Sequence, residues 1–209
     1  VVENAETAIP AMIPAVILAG GLSRRMGGGD KCLLPLAGRP VLAHLIERIR
    51  PQVAALALNA NGDPTRFAGF GLPVIADDAA DFAGPLAGIL AALGWARRAH
   101  PSAPAVLTIP ADTPFLPRDL VARLEAAGAP SMAGSGGRIH PVAGLWPLTL
   151  EAGLREALRT EGLRKVESWT ARLNPAVVDF GPLESKPVPI DPFFNINTPD
   201  DLARAEALL

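Results

Sequence analysis

The chain has 209 residues, 49% of them hydrophobic, and a formal net charge of −2. That supplies the core of one α/β domain, and the lack of a basic excess argues against nucleic acid as a main partner. The single cysteine, Cys32, excludes an internal disulfide and a cysteine-based zinc site and fits a cytosolic protein.

Residues 1–13 lack the basic start and long apolar run of a signal peptide and read as a flexible leader. Ala15 to Ala19 is an apolar run with the length of a buried strand. It feeds a loop, Gly20 to Lys31, that carries five glycines, Arg24, Arg25 and Lys31. Glycine lets backbone N–H groups approach a ligand closely, and the basic side chains add charge, so the loop suits an anion such as phosphate. Gly20-Gly21 alone would be an ordinary turn. The loop is neither a G-x-x-x-x-G-K-[ST] P-loop, since Lys31 follows Asp30 and precedes Cys32, nor a G-x-G-x-x-G fingerprint.

Val41, Leu42, Leu45, Ile46 and Ile49 predict a helix, with Pro40 at its first turn and Pro51 closing it. Val53 to Leu58 and Leu72 to Ala76 predict strands, ending in Asn59-Ala-Asn61 and Asp77-Asp78. Phe82 to Ala96 is a long uncharged run. It is shorter than the roughly 18 residues a membrane span needs and contains Pro85, so it reads as a buried helix opening at Gly84. Ala105 to Ile109 predicts a strand that ends in Pro110-Ala111-Asp112, and Pro117 to Ala127 a helix. This alternation implies a mostly parallel sheet with helices on both faces. Gly20-Gly21, Asn59, Asp77 and Asp112 then gather at the carboxyl ends of the strands, the edge where open α/β sheets bind ligands.

The second half is less regular. Ser131 to Gly137 predicts a strand and a loose glycine-rich loop, and Arg138 to Trp146 a returning strand. Leu150, Leu154 and Leu158 mark a helix, Lys165 to Leu173 another, and Ala176 to Phe180 a strand. Pro187 to Pro192 reads as an extended link. Thr198 caps a last helix, with Pro199 at its first position and Asp201 three residues beyond the cap.

Asp112 is the best metal candidate, because Mg²⁺ prefers a carboxylate together with water and phosphate oxygens. Asp77, Asn195 and Asn197 are weaker ones. His140 has no second His or Cys at ligand spacing, which argues against zinc, and His44 and His100 read as surface or packing residues. There is no G-x-S-x-G nucleophile elbow. Glycine loop, Lys31, Arg25 and Asp112 together suit nucleotidyl transfer: the basic pair would neutralise charge developing on an α-phosphate and on leaving pyrophosphate. Arg24 faces solvent in this reading.

The chain resembles the molybdenum cofactor guanylyltransferases (MobA family). The residues that carry the resemblance are Leu18 to Lys31, Asn59-Ala-Asn61, Gly84-Pro-Leu-Ala-Gly88, Pro110 to Leu116, His140-Pro141 with Gly144-Leu-Trp146, and Phe194-Asn-Ile-Asn-Thr-Pro199. The resemblance implies a Rossmann-like three-layer α/β/α fold of nucleotide-diphospho-sugar transferase type. Residues 14–209 would form one domain, with 14–127 binding nucleotide and 128–209 the acceptor. It implies transfer of GMP from GTP to the phosphate of Mo-molybdopterin, with Mg²⁺ as cofactor, release of pyrophosphate and a cytoplasmic location. Other cofactor-biosynthesis proteins and recipient apo-enzymes would be partners, with no nucleic acid and no membrane. Nucleotide contacts would fall at Leu18, Ala19, Gly20, Gly21, Lys31, Asn59, Asp77 and Asp112, with Asp112 also on the metal. His140, Asn195 and Asn197 would face the acceptor. Two positions depart from the family pattern: Gly62 stands where Arg often follows Asn-Ala-Asn, and Ala111 replaces a frequent Cys. Residue types leave open a cytidylyltransferase, a sugar-phosphate nucleotidyltransferase or a non-catalytic cofactor-delivery module.

Overall fold

Strands in which every side chain is apolar must be covered on both faces, and that requirement sets the architecture. The computed structural model describes residues 13–20, 30–77, 84–183 and 189–209. In chain order the strands are β1 (Pro14–Leu18), β2 (Pro35–Leu36), β3 (Arg39–Pro40), β4 (Ala55–Asn59), β5 (Val74–Ile75), β6 (Ala105–Pro110), β7 (Ser131–Ser135), β8 (Arg138–Pro147) and β9 (Ala176–Asp179). The helices are α1 (Val41–Ile49), α2 (Pro85–Ala99), α3 (Leu120–Ala127), α4 (Glu151–Thr160), α5 (Val166–Leu173) and α6 (Pro199–Ala207).

Seven strands form one sheet in the order β5-β4-β1-β6-β8-β7-β9. β1 runs parallel to β4 and β6, β4 to β5, and β7 to β9. Only β8 is reversed, antiparallel to β6 and β7. The chain leaves β1 for β4 and β5 on one side, then returns to β6 on the other. The order therefore reverses at β1, and its carboxyl end is the switch point at which such sheets form a crevice.

The strands divide their side chains between two layers. Ala15, Ile17, Leu56, Leu58, Leu107 and Ile109 pack against Leu42, Leu45 and Ile49 of α1 and Leu120, Val121 and Leu124 of α3. Val16, Ala57 and Val106 face Leu86, Ile89, Leu90 and Leu93 of α2, with Leu154 of α4 and Trp169 of α5 beyond. The three-layer α/β/α sandwich follows. A nine-residue helix such as α1 is too short to persist alone, so burial of Val41, Leu42, Leu45 and Ile49 holds it. α6 packs in a smaller cluster with Leu36, Val41, Phe115, Ile190 and Ile196.

Every predicted element is present, with ends displaced by a few residues; α3, for example, starts at Leu120 and not at Pro117. Pro40 is the N-cap of α1, in extended conformation, and not a first-turn residue, because it pairs with Pro35 in the small β2–β3 ladder. The expected loose loop after β7 is a tight hairpin. Gly136 and Gly137 both have positive φ, 53° and 75°, which suits a two-residue turn between Ser135 and Arg138. α6 begins with a full capping box in which Thr198 and Asp201 exchange bonds with each other's backbone N–H.

Candidate active site

The site forms where β1 and β6 end side by side. Ala111 N–H donates to Leu18 O (3.1 Å) and Ala19 N–H to Asn59 O (2.9 Å), so three strand ends are bound into one edge. Beyond that edge opens a cleft of about 210 Å³, lined by Leu18, Ala19, Gly20, Lys31, Asp112 and Asn195, among others. Leu18, Ala19, Gly20, Lys31, Asp112 and Asn195 thus come together as expected. Gly21, Arg24 and Arg25 lie outside the described residues.

A strap from the C-terminal segment closes over the cleft. Ile196 N–H donates to Asp112 O (3.0 Å), which lays residues 195–197 across the end of β6. Asn197 Oδ1 accepts from Lys31 Nζ (2.9 Å). Asn195 places its amide 3.4 Å from Asp112 Oδ1, at the long limit of a hydrogen bond. Asn197 therefore orients Lys31 without adding an opposite charge, since an amide oxygen carries none.

Asp112 is the one carboxylate among the described residues that line the cleft. Burial pushes its carboxyl above the usual range, and attraction to Lys31 offsets only part of that. Among the described residues no cluster of three or more His, Cys, Asp or Glu could hold a metal. A single carboxylate disfavoured by burial still suits a hard cation that takes its remaining ligands from water and phosphate oxygens. The neighbouring Cys32 thiol is pushed up to about 12, by burial first and by Asp30 second, so it stays protonated and unreactive.

Asn59 and Asp77 meet, but the Asp77 carboxylate is already engaged. Asn59 Nδ2 donates to Oδ1 (2.9 Å) and Asn61 Nδ2 to Oδ2 (2.7 Å), while Asp77 N–H donates to Asn61 Oδ1 (3.0 Å). Asp77 thus ties the end of β4 to the segment after β5. Gly88, in the first turn of α2, admits this arrangement: a β-carbon there would stand 2.7 Å from Asn59 Oδ1.

Sequence reasoning missed Arg66. Its Nε donates to Asp30 Oδ2 (2.5 Å), its Nη2 to Asn61 O (2.7 Å), and its Nη1 to Asp63 O. It clamps the residue before Lys31 to the Asn-Ala-Asn turn. Its Nη1 also lies 3.6 Å from where a side chain at Gly62 would begin. A guanidinium thus occupies the neighbourhood of the departing Gly62, delivered from four residues further on.

A second cavity, about 130 Å³, adjoins the first and shares Pro110, Val142 and Asn195 with it. His140, Ile139 and Phe193 line it. His140 therefore stands in a separate compartment from Lys31 and Asp112. His44 Nε2 bonds Leu36 O (2.9 Å), and His100 packs edge-on against Trp95, so both are structural.

A strand edge that carries a lysine bonded to Asn197 and a carboxylate raised by burial, beside two adjoining cavities, fits a nucleotidyltransferase. A family model, the MobA-like NTP transferase domain, matches residues 15–175. The molybdenum cofactor guanylyltransferase of Rhodopseudomonas palustris (strain BisB5) is 54% identical over 200 residues, covering 93% of each chain. That of Bradyrhizobium sp. (strain ORS 278) is 55% identical over 201 residues, covering 94% of this chain and 92% of its own. The fold is similar to that of molybdopterin-guanine dinucleotide biosynthesis protein A from Archaeoglobus fulgidus, with a TM-score of 0.67 at 24% identity, covering 94% of this chain and 98% of that one. The chain belongs to the MobA-like NTP transferase family, among the molybdenum cofactor guanylyltransferases. Among the described residues no helix is long and apolar enough to cross a membrane.

Proposed function

We propose that the protein transfers GMP from GTP to the phosphate of Mo-molybdopterin, forming molybdopterin guanine dinucleotide and pyrophosphate. The observation that carries this reading is the pair of adjoining cavities, one holding Lys31 and Asp112 and the other His140, joined at Pro110, Val142 and Asn195. A nucleotide in the first and a pterin in the second bring donor and acceptor together at their junction. The guanylyltransferase names of relatives about half identical over nearly the whole chain favour GTP as donor.

An oxygen of the acceptor phosphate attacks the α-phosphorus of GTP. The bond from that phosphorus to the bridging oxygen breaks, and pyrophosphate leaves. The acceptor monoester is mostly dianionic at pH 7, its second pKa being about 6, so no general base is required. Lys31, aimed by Asn197, neutralises charge that builds on the phosphates; Arg25 is its proposed companion. Asp112, with Asn195 beside it, would hold Mg²⁺, which when bound offsets phosphate charge and orients the polyphosphate. Asn59 and Asp77 act as one bonded unit at the nucleotide's edge, with Leu18, Ala19, Gly20 and Gly21 supplying backbone. The product would pass to recipient apo-enzymes, with other cofactor-biosynthesis proteins as partners in the cytoplasm.

The protein, Mg²⁺ and Mo-molybdopterin are incubated with each NTP in turn, and pyrophosphate release is read. GTP is expected to be the productive donor. Turnover with CTP in its place, or with a sugar phosphate and not molybdopterin, overturns the reading. A mere delivery module would release no pyrophosphate with any donor.

A further inference from the structure

The wall of the second cavity contains a hydrogen-bonded chain that the reaction above does not use. Ser135, at the end of β7, is 3% exposed. Its Oγ lies 2.8 Å from His140 Nε2 and 2.8 Å from Asp191 Oδ1. Asp191 is fixed in turn: its Oδ1 also accepts from Phe193 N–H (2.9 Å), and the Leu183–Ile190 bridge holds the chain just before it. The His140 ring stacks on Phe193, centroids 4.6 Å apart and planes 18° from parallel.

Counting protons assigns the direction of this chain. A serine hydroxyl has one hydrogen and a carboxylate only accepts. Ser135 therefore donates to Asp191, and its oxygen must accept from His140. The imidazole proton sits on Nε2. In the neutral ring Nδ1 is then the acceptor nitrogen of a residue that lines the second cavity.

We propose that Ser135 and Asp191 are positioning residues that lock His140 as the Nε2–H form, so that Nδ1 recognises a ring or exocyclic N–H of a planar heterocyclic acceptor. This rests on the proposed function, whose acceptor is a pterin. Burial holds the His140 imidazole below its ordinary range; Asp191 opposes that shift and Arg138 reinforces it. A neutral ring keeps Nδ1 free of a proton.

Two measurements test this. Nitrogen-15 NMR of the full-length, ligand-free protein reads which ring nitrogen of His140 is protonated, and the Nε2–H form is expected. Steady-state kinetics with saturating GTP and varied Mo-molybdopterin then compare variants. S135A and D191A are expected to raise the acceptor KM about tenfold, the worth of one hydrogen bond, with kcat and the KM for GTP unchanged. S135T, which keeps the hydroxyl, is expected to restore the acceptor KM. An Nδ1–H form in the free protein, or an unchanged acceptor KM in S135A, overturns the proposal. Absence of wild-type turnover with molybdopterin would sink the proposed function alone, and the NMR measurement would still decide the state of His140.

Discussion

Replacing Gly88 by alanine tests how the nucleotide edge is built. The added β-carbon would meet Asn59 Oδ1 at 2.7 Å and the Leu18 methyls at 3.2 Å and 3.3 Å. Alanine favours a helix over glycine by about 0.5–1 kcal/mol. Overpacking costs about 1–3 kcal/mol. The net loss is at most about 2.5 kcal/mol, which for a chain of this size lowers Tm by no more than about 10 °C. The variant stays folded, but the Asn59 amide, which also donates to Asp77, must shift. The KM for GTP should then rise about tenfold or more, as one or two hydrogen bonds are lost. Thermal melts and pyrophosphate-release rates at varied GTP read the two effects separately. Asn59→Ser removes the clashing oxygen, so G88A should add little in that background. An unchanged GTP KM in G88A, or an equal penalty with and without the Asn59 amide, would refute the steric reasoning.

Asp112→Asn should abolish turnover yet raise Tm at pH 7. The folded carboxyl is raised by burial, so the charged form is a burden that is fully present above its folded pKa and relieved as pH falls toward the unfolded value near 4. The Tm advantage should accordingly shrink in acid, as melts across pH will show. Arg66→Ala removes charge-assisted bonds to Asp30 and to two carbonyls; it should cost about 1.5–3 kcal/mol, seen as a Tm lower by about 3–12 °C, and should lower kcat/KM for GTP by loosening the residue before Lys31. For His140, whose folded value lies below the ordinary one, the unfolded chain binds the proton first. Stability is then complete above about pH 6.5 and declines as pH falls through that value until the folded ring titrates. His140→Gln should flatten this part of a melt-versus-pH profile.

The first half of the chain was legible because its signals are local. Short, largely apolar runs leading to Asn59 and to Asp112 state both a strand and the polar group beyond its tip. The capping box at Thr198 was readable for the same reason, since its partners lie three residues apart. The partnerships were not readable. Lys31 meets Asn197 across 166 positions and Ser135 meets Asp191 across 56, distances at which no periodicity operates. Arg66 escaped because it sits in a 3-10 turn, Pro64–Phe70, with no helical or strand pattern to aim it. Its one neighbouring cue was Gly62, where Arg often stands; the Arg66 guanidinium lies 3.6 Å from where a side chain there would begin. Asp77 stands at the predicted strand end, and residue type does not reveal that each of its carboxylate oxygens accepts from an asparagine amide.

The strap over β6 has a consequence for the order in which the protein becomes competent. Residues 195–197 follow every strand of the sheet in the chain, yet they aim Lys31 and cover Asp112. Synthesis proceeds from the N-terminus at about 5–20 residues per second, so residues 195–197 are made after every strand of the sheet. The strand edge can therefore assemble while the lysine still lacks its guide. A nascent chain holds the outline of the cleft before residues 195–197 arrive to bond Lys31 and Asp112.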